Sequence, residues 1–141
     1  MTDIASACRQ LATLSFVLID SREFEPLAAL YTEDAVFVRP TAPDAPIHGR
    51  PAILEQYRAR PTTKITRHFV TNILIDVLGG DKAKGLLYAL LITGTADTET
   101  PSFPIVADPV QFVGEFRDDY VRTEAGWQIA KRVGKMIFRS Q

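Results

Sequence analysis

The sequence predicts an α+β fold, with three N-terminal helices packed on a curved, mainly antiparallel sheet. Two observations carry this. Before residue 60 the apolar residues recur at helical spacing, whereas from residue 64 they fall in long β-branched and aromatic stretches. Tight-turn signals, Gly79-Gly80-Asp81 and Glu124-Ala125-Gly126, separate those stretches. Helices first and strands afterwards is the order of helices laid on one face of an antiparallel sheet.

The elements follow in order. Ile4, Ala7, Cys8, Leu11, Leu14 and Leu18 form one apolar stripe, so the first helix starts near residue 4. Thr2 or Asp3 supplies its N-cap oxygen. A short second helix fits residues 23–31, with Pro26 in its first turn. Thr32-Glu33-Asp34 breaks the pattern, and residues 35–39 read as a short strand. Pro40, Pro43 and Pro46 make residues 40–48 a loop. A third helix covers residues 51–59, with Gly49 at its entrance and Pro61 ending it. Strands then cover residues 64–78, 82–96, 110–123 and 126–139, and residues 97–109 form a proline-bearing loop.

Composition narrows the function. A chain of 141 residues, 46% hydrophobic, suits one domain spanning residues 1–141. With one cysteine there is no intrachain disulfide, and a cysteine-based zinc site lacks ligands. Net charge is −1 with no basic run, which argues against nucleic acid. The longest apolar run, residues 86–92, is far too short to span a membrane. The first ten residues do not read as a signal peptide, so a soluble cytoplasmic protein is expected. Nucleotide-binding, serine-hydrolase and zinc-protease motifs are absent.

Polar residues set in apolar segments remain as the candidates. Asp20 ends the first helix, where a carboxylate opposes the helix dipole and calls for a partner. His68 lies in a strand whose alternation places Thr66, His68, Val70, Asn72 and Leu74 on one face. An imidazole there is either a core group satisfied by backbone or a general base. His48, in the proline-rich loop, reads as a surface residue. Ser15, Tyr57, Tyr88 and Tyr120 offer hydroxyl donors, and Asn72, on the same strand face as His68, is a further candidate to face a pocket. Arg132 can pair with Asp118, Asp119 or a ligand carboxylate, surface pairing being the simplest expectation. Phe37, Leu54, Phe103, Phe112, Phe116, Trp127 and Met136 supply core or apolar pocket lining.

Several segments then share an order: Leu18-Ile19-Asp20, Phe24-Glu25-Pro26-Leu27, residues 30–37, Gly49-Arg50-Pro51, Thr66-Arg67-His68-Phe69, Gly114-Glu115-Phe116 and Gly126-Trp127-Gln128-Ile129. In that order the chain resembles the SnoaL-like branch of the nuclear transport factor 2-like superfamily. The resemblance implies a cone-shaped fold with an internal, largely apolar pocket. In members of the scytalone dehydratase and hexachlorocyclohexane dehydrochlorinase types it implies an Asp at position 20 paired with a His at position 68. The His removes a proton, the Asp orients it, and neither metal nor organic cofactor is used.

Three departures stand out. The first helix carries Ser15 and Phe16 where dehydratases often have Tyr, no second His follows His68, and Phe116 replaces a frequent Tyr. The expectation is therefore a dehydratase- or cyclase-like lyase or isomerase acting on a small apolar or cyclic molecule. The alternative is a non-catalytic ligand-binding or assembly protein of the same fold. Because Leu86, Tyr88, Leu90 and Ile92 alternate with Leu87, Ala89 and Leu91, both sheet faces need cover. A homodimer through the sheet is expected.

Overall fold

A computed structural model describes residues 3–141. The first helix, α1, spans Ile4–Asp20, and Asp3 caps it by accepting from the Ser6 amide at 2.8 Å; the other proposed cap, Thr2, lies outside the described residues. The buried stripe of α1 is Cys8, Leu11, Ala12, Ser15, Phe16, Leu18 and Ile19, whereas Leu14 is exposed. The helix is thus rotated from the all-apolar face, and the rotation turns Ser15 and Phe16 inward.

The short α2, Phe24–Ala28, ends earlier than its composition suggests. Tyr31 is not helical: it opens strand β1, Tyr31–Val38, and Thr32-Glu33-Asp34 continues that strand instead of breaking it. Sheet pairing overrides local propensity here. The proline-rich loop ends in a two-residue strand, β2, Ile47–His48. Gly49 (φ 93°) then turns the chain into α3, Arg50–Arg58, in a conformation that glycine adopts without penalty.

The remaining strands are β3 Lys64–Val77, β4 Lys82–Thr95, β5 Phe112–Thr123 and β6 Gly126–Arg139. Their order in the sheet is β2-β1-β6-β5-β4-β3, so β2 and β3 are edges of an open six-stranded sheet. Only β1 and β6 run parallel; the other neighbours are antiparallel. Helix α1 lies across β3, β4 and β6, while α3 packs on α2 and β1. The core between these layers includes Leu27, Tyr31, Ile53, Leu87 and Ile129.

One irregularity reassigns a strand face. Asn72 (φ 53°) sits in a bulge where Asn72 and Ile73 together oppose Leu87. Beyond the bulge the alternation is inverted. Ile73 and Ile75 pack against the core, and Asn72 and Leu74 are exposed. The predicted common face of His68, Asn72 and Leu74 therefore ends at Val70.

Candidate active site

The end of α1 rests on β3, and this brings Asp20 to His68. Asp20 Oδ2 accepts from the His68 amide at 2.8 Å. Asp20 Oδ1 accepts from Thr66 Oγ1 at 2.8 Å and meets His68 Nδ1 at 2.6 Å. Burial pushes the Asp20 carboxyl up, but the hydrogen bonds and charge of His68 and the bond from Thr66 outweigh it. The result lies below the ordinary carboxylate value. An ionised Asp20 can only accept, so His68 Nδ1 carries the proton and donates it. In the neutral imidazole with its proton on Nδ1, the second ring nitrogen carries a lone pair. Phe16 packs against the imidazole, ring centroids 5.1 Å apart.

His68 borders a cavity of about 190 Å³ enclosed between α1, α3 and the inner sheet face. The register explains who meets there. His68 stands opposite Leu91, Leu91 opposite Phe112, and Ala89, Gly114 and Met136 follow in the next row. Phe37 from β1 and Tyr57 from α3 close the far side, their rings stacked with an interplanar angle of 9°. Gly134 matters to this wall: a Cβ there would run into Pro40 and come within 2.9 Å of Phe116.

At the cavity floor Arg132 corrects the expectation of a surface pair. It is 1% exposed and opposite Asp118 across β5 and β6. Its Nε and Nη2 donate to the two Asp118 oxygens at 2.8 and 2.7 Å. Nη1 donates to Ser15 Oγ at 2.8 Å, and Tyr120 Oη donates to Asp118 Oδ2 at 2.8 Å. Burial alone would weaken the guanidinium's hold on its proton, but Asp118 more than reverses that, and Arg132 stays charged. The same guanidinium lies 4.7 Å from the Phe16 ring centroid.

Of the residues singled out from sequence, His68, Phe37, Tyr57, Phe112, Phe116, Arg132 and Met136 line the cavity. Asp20 stands behind His68, and Ser15 stands behind Arg132. Others fall elsewhere. Asn72 lies on the exposed side of its bulge, Tyr88 is 41% exposed on the outer sheet face, and Leu54 of α3 is not among the lining residues. Phe103 borders a separate hollow with Ile65, Arg67 and Ile92. Its loop is pinned there by the Gly94–Ala107 bridge and by Thr93 Oγ1 donating to Asp108 at 2.6 Å. Tyr120 is turned into the protein. His48 is exposed in β2.

Arg39 and Arg60 also line the cavity, and sequence reasoning passed over both. The signal was there. Arg39 continues the alternation of Ala35 and Phe37, and Arg60 follows Tyr57 at helical spacing. Among the described residues no three His, Cys, Asp or Glu side chains are grouped to hold a metal ion. No helix among them is long and apolar enough to cross a membrane.

With helices laid on a mixed sheet over an apolar cavity, the molecule has the architecture of a nuclear transport factor 2-like protein. The sequence matches the SnoaL-like domain over residues 2–133, and the chain belongs to that family. No curated protein matches it significantly. Among solved structures it is similar to a scytalone dehydratase candidate from Novosphingobium aromaticivorans, with 21% identity, a TM-score of 0.79, and coverage of 95% of this chain and 84% of that one. It is also similar to hexachlorocyclohexane dehydrochlorinase LinA-type3 from Novosphingobium barchaimii, at 18% identity and TM-score 0.76, covering 95% and 86%. A third is Rv3472 from Mycobacterium tuberculosis, of unknown function, at 26% identity and TM-score 0.74, covering 92% and 74%.

Proposed function

We propose that this SnoaL-like protein is a cofactor-independent lyase or isomerase in which His68 is the general base. The observation that supports it best is the cavity-lining imidazole whose Nδ1 lies 2.6 Å from Asp20. In this reading the free ring nitrogen takes a C–H proton from a small, largely apolar substrate. Asp20 holds the ring and stabilises the imidazolium that forms. The apolar walls keep water from competing for the base. Two of the similar structures are named as a scytalone dehydratase candidate and a dehydrochlorinase, and an elimination of that kind removes a C–H proton.

Tyr57 is the hydroxyl best placed to assist. Burial drives its pKa up, and the nearby Arg60, Arg132 and Arg39 charges only partly offset this. The phenol stays protonated and can donate to an oxygen of the substrate.

The test is proton exchange in D₂O, followed by NMR over a panel of single-ring ketones and β-hydroxy carbonyl compounds. Wild type is expected to label or eliminate, and His68→Ala to slow this by about 10²–10⁴-fold, the usual contribution of a positioned base. Asp20→Asn is expected to slow it as well. Turnover that survives both substitutions would remove the base and leave a ligand-binding protein of the same fold.

We also propose that the chain pairs with a second copy through the outer sheet face. On that face Phe69, Leu90, Val113 and Phe138 form a continuous row across β3 to β6. Phe69 is 55% and Phe138 67% exposed, a patch of the kind that marks an interface.

A further inference from the structure

Three guanidinium groups reach the cavity, and they are not equivalent. Arg132 is neutralised by Asp118. Arg39, just past β1, and Arg60, just past α3, form no ion pair among the described residues. Arg39 Nε is buried and has no hydrogen-bond partner among them. The Arg60 guanidinium lies 5.2 Å from the Tyr57 ring centroid, which draws its charge against the cavity wall. No Asp or Glu lines the cavity.

The carboxylates behind the walls are already engaged. Asp118 answers Arg132 and Asp20 faces His68, so neither carboxylate is free for Arg39 or Arg60. Arg39 and Arg60 are half-buried, so an anion in the cavity would meet two cations that no carboxylate already neutralises. Guanidinium groups match carboxylate geometry in particular.

We propose that the cavity takes a substrate bearing a carboxylate, held by Arg39 and Arg60, on an apolar body of about one ring. The size follows from the volume. About 190 Å³ is modestly larger than a cavity of about 150 Å³ that accepts benzene. Phe16, Leu91 and Phe112 are apolar walls of the same cavity beside His68. With its carboxylate held by the two arginines, the ring or short chain lies against these walls beside the imidazole. This orientation rests on His68 being the base; the anion site itself does not.

The test uses benzoate and its neutral isostere benzamide, with binding measured by calorimetry on the full chain. Benzoate is expected to bind roughly ten- to hundredfold more tightly than benzamide, the value of one or two charge-assisted hydrogen bonds. Arg39→Gln and Arg60→Gln are each expected to erase most of that preference while benzamide binding holds, which also controls for folding. Equal affinity for the two probes overturns the proposal. So does failure of both to bind at millimolar concentration, or a preference unchanged in the Arg39→Gln/Arg60→Gln double variant. His68→Ala is expected to keep the preference for benzoate, so loss of the base reading and loss of the anion site give different results.

Discussion

Asp20 and Asp118 are both carboxylates withdrawn from solvent, but they differ in what they leave available. Asp118 spends both oxygens on Arg132 and one also on Tyr120, a closed arrangement that fixes the cavity floor. Removing one partner of such a buried pair strands the other's charge, which is why it reads as structure. Asp20 instead orients a group that faces the cavity. This role has a stability signature. The Asp20 carboxyl titrates below its ordinary value near 3.8, so its stabilisation is fully present above that pH. It is lost as pH falls through the lower folded-state value. Urea unfolding of wild type at about pH 5 and about pH 3 is expected to show a steeper loss than Asp20→Asn shows over the same interval. Equal slopes would mean that the carboxylate is not held as described. Asp20 and His68 each stood out because a helix-terminal Asp and a strand His are odd in apolar segments, and the resemblance to SnoaL-like proteins paired them. The burial of Arg132 was not legible, because it depends on a register that sets Asp118 opposite it.

Among the elements, β3 shows where pattern reading stops. Its limits were legible to within a residue, residues 64–78 expected against Lys64–Val77 observed, because a long β-branched run needs no tertiary information. Its faces were not, because a bulge adds a residue and inverts the alternation beyond it. The hint was Asn72 itself, since Asn adopts positive φ more readily than most residues. Asn72→Val is therefore expected to cost about 1–2 kcal/mol, the penalty of a left-handed conformation for an ordinary side chain, while Asn72→Gly stays near wild type. Chemical denaturation midpoints decide it. If valine is tolerated, the bulge is not fixed by this residue. The same logic explains β1: Tyr31 reads as the close of a helix, but parallel pairing with Ile129 of β6 claims it for the sheet.

For the whole molecule, the two faces of the sheet carry different burdens. The inner face holds the cavity, with His68, Leu91 and Phe112 in one row. The outer face is graded along the strands. At one end lie Phe69, Leu90, Val113 and Phe138, and nearer the other end Lys84, Asp119 and Lys131 stand side by side. The charged rows need no cover, whereas the apolar rows face water in an isolated chain. A second copy laid on the apolar end would bury both patches at once, and a two-fold arrangement needs only one kind of surface. The chain is accordingly expected to sediment as a dimer or larger assembly at micromolar concentration. Phe69→Asp, and more fully Phe69→Asp with Phe138→Asp, should sediment as a monomer with an unchanged circular dichroism spectrum, because both side chains are largely exposed. The cavity lies on the opposite face of the sheet, so these variants should also keep their preference for benzoate over benzamide. Wild type that sediments as a monomer would rule the pairing out. A monomeric variant that has also lost its fold would instead place Phe69 and Phe138 in the stability of the single chain, against their exposure on its surface.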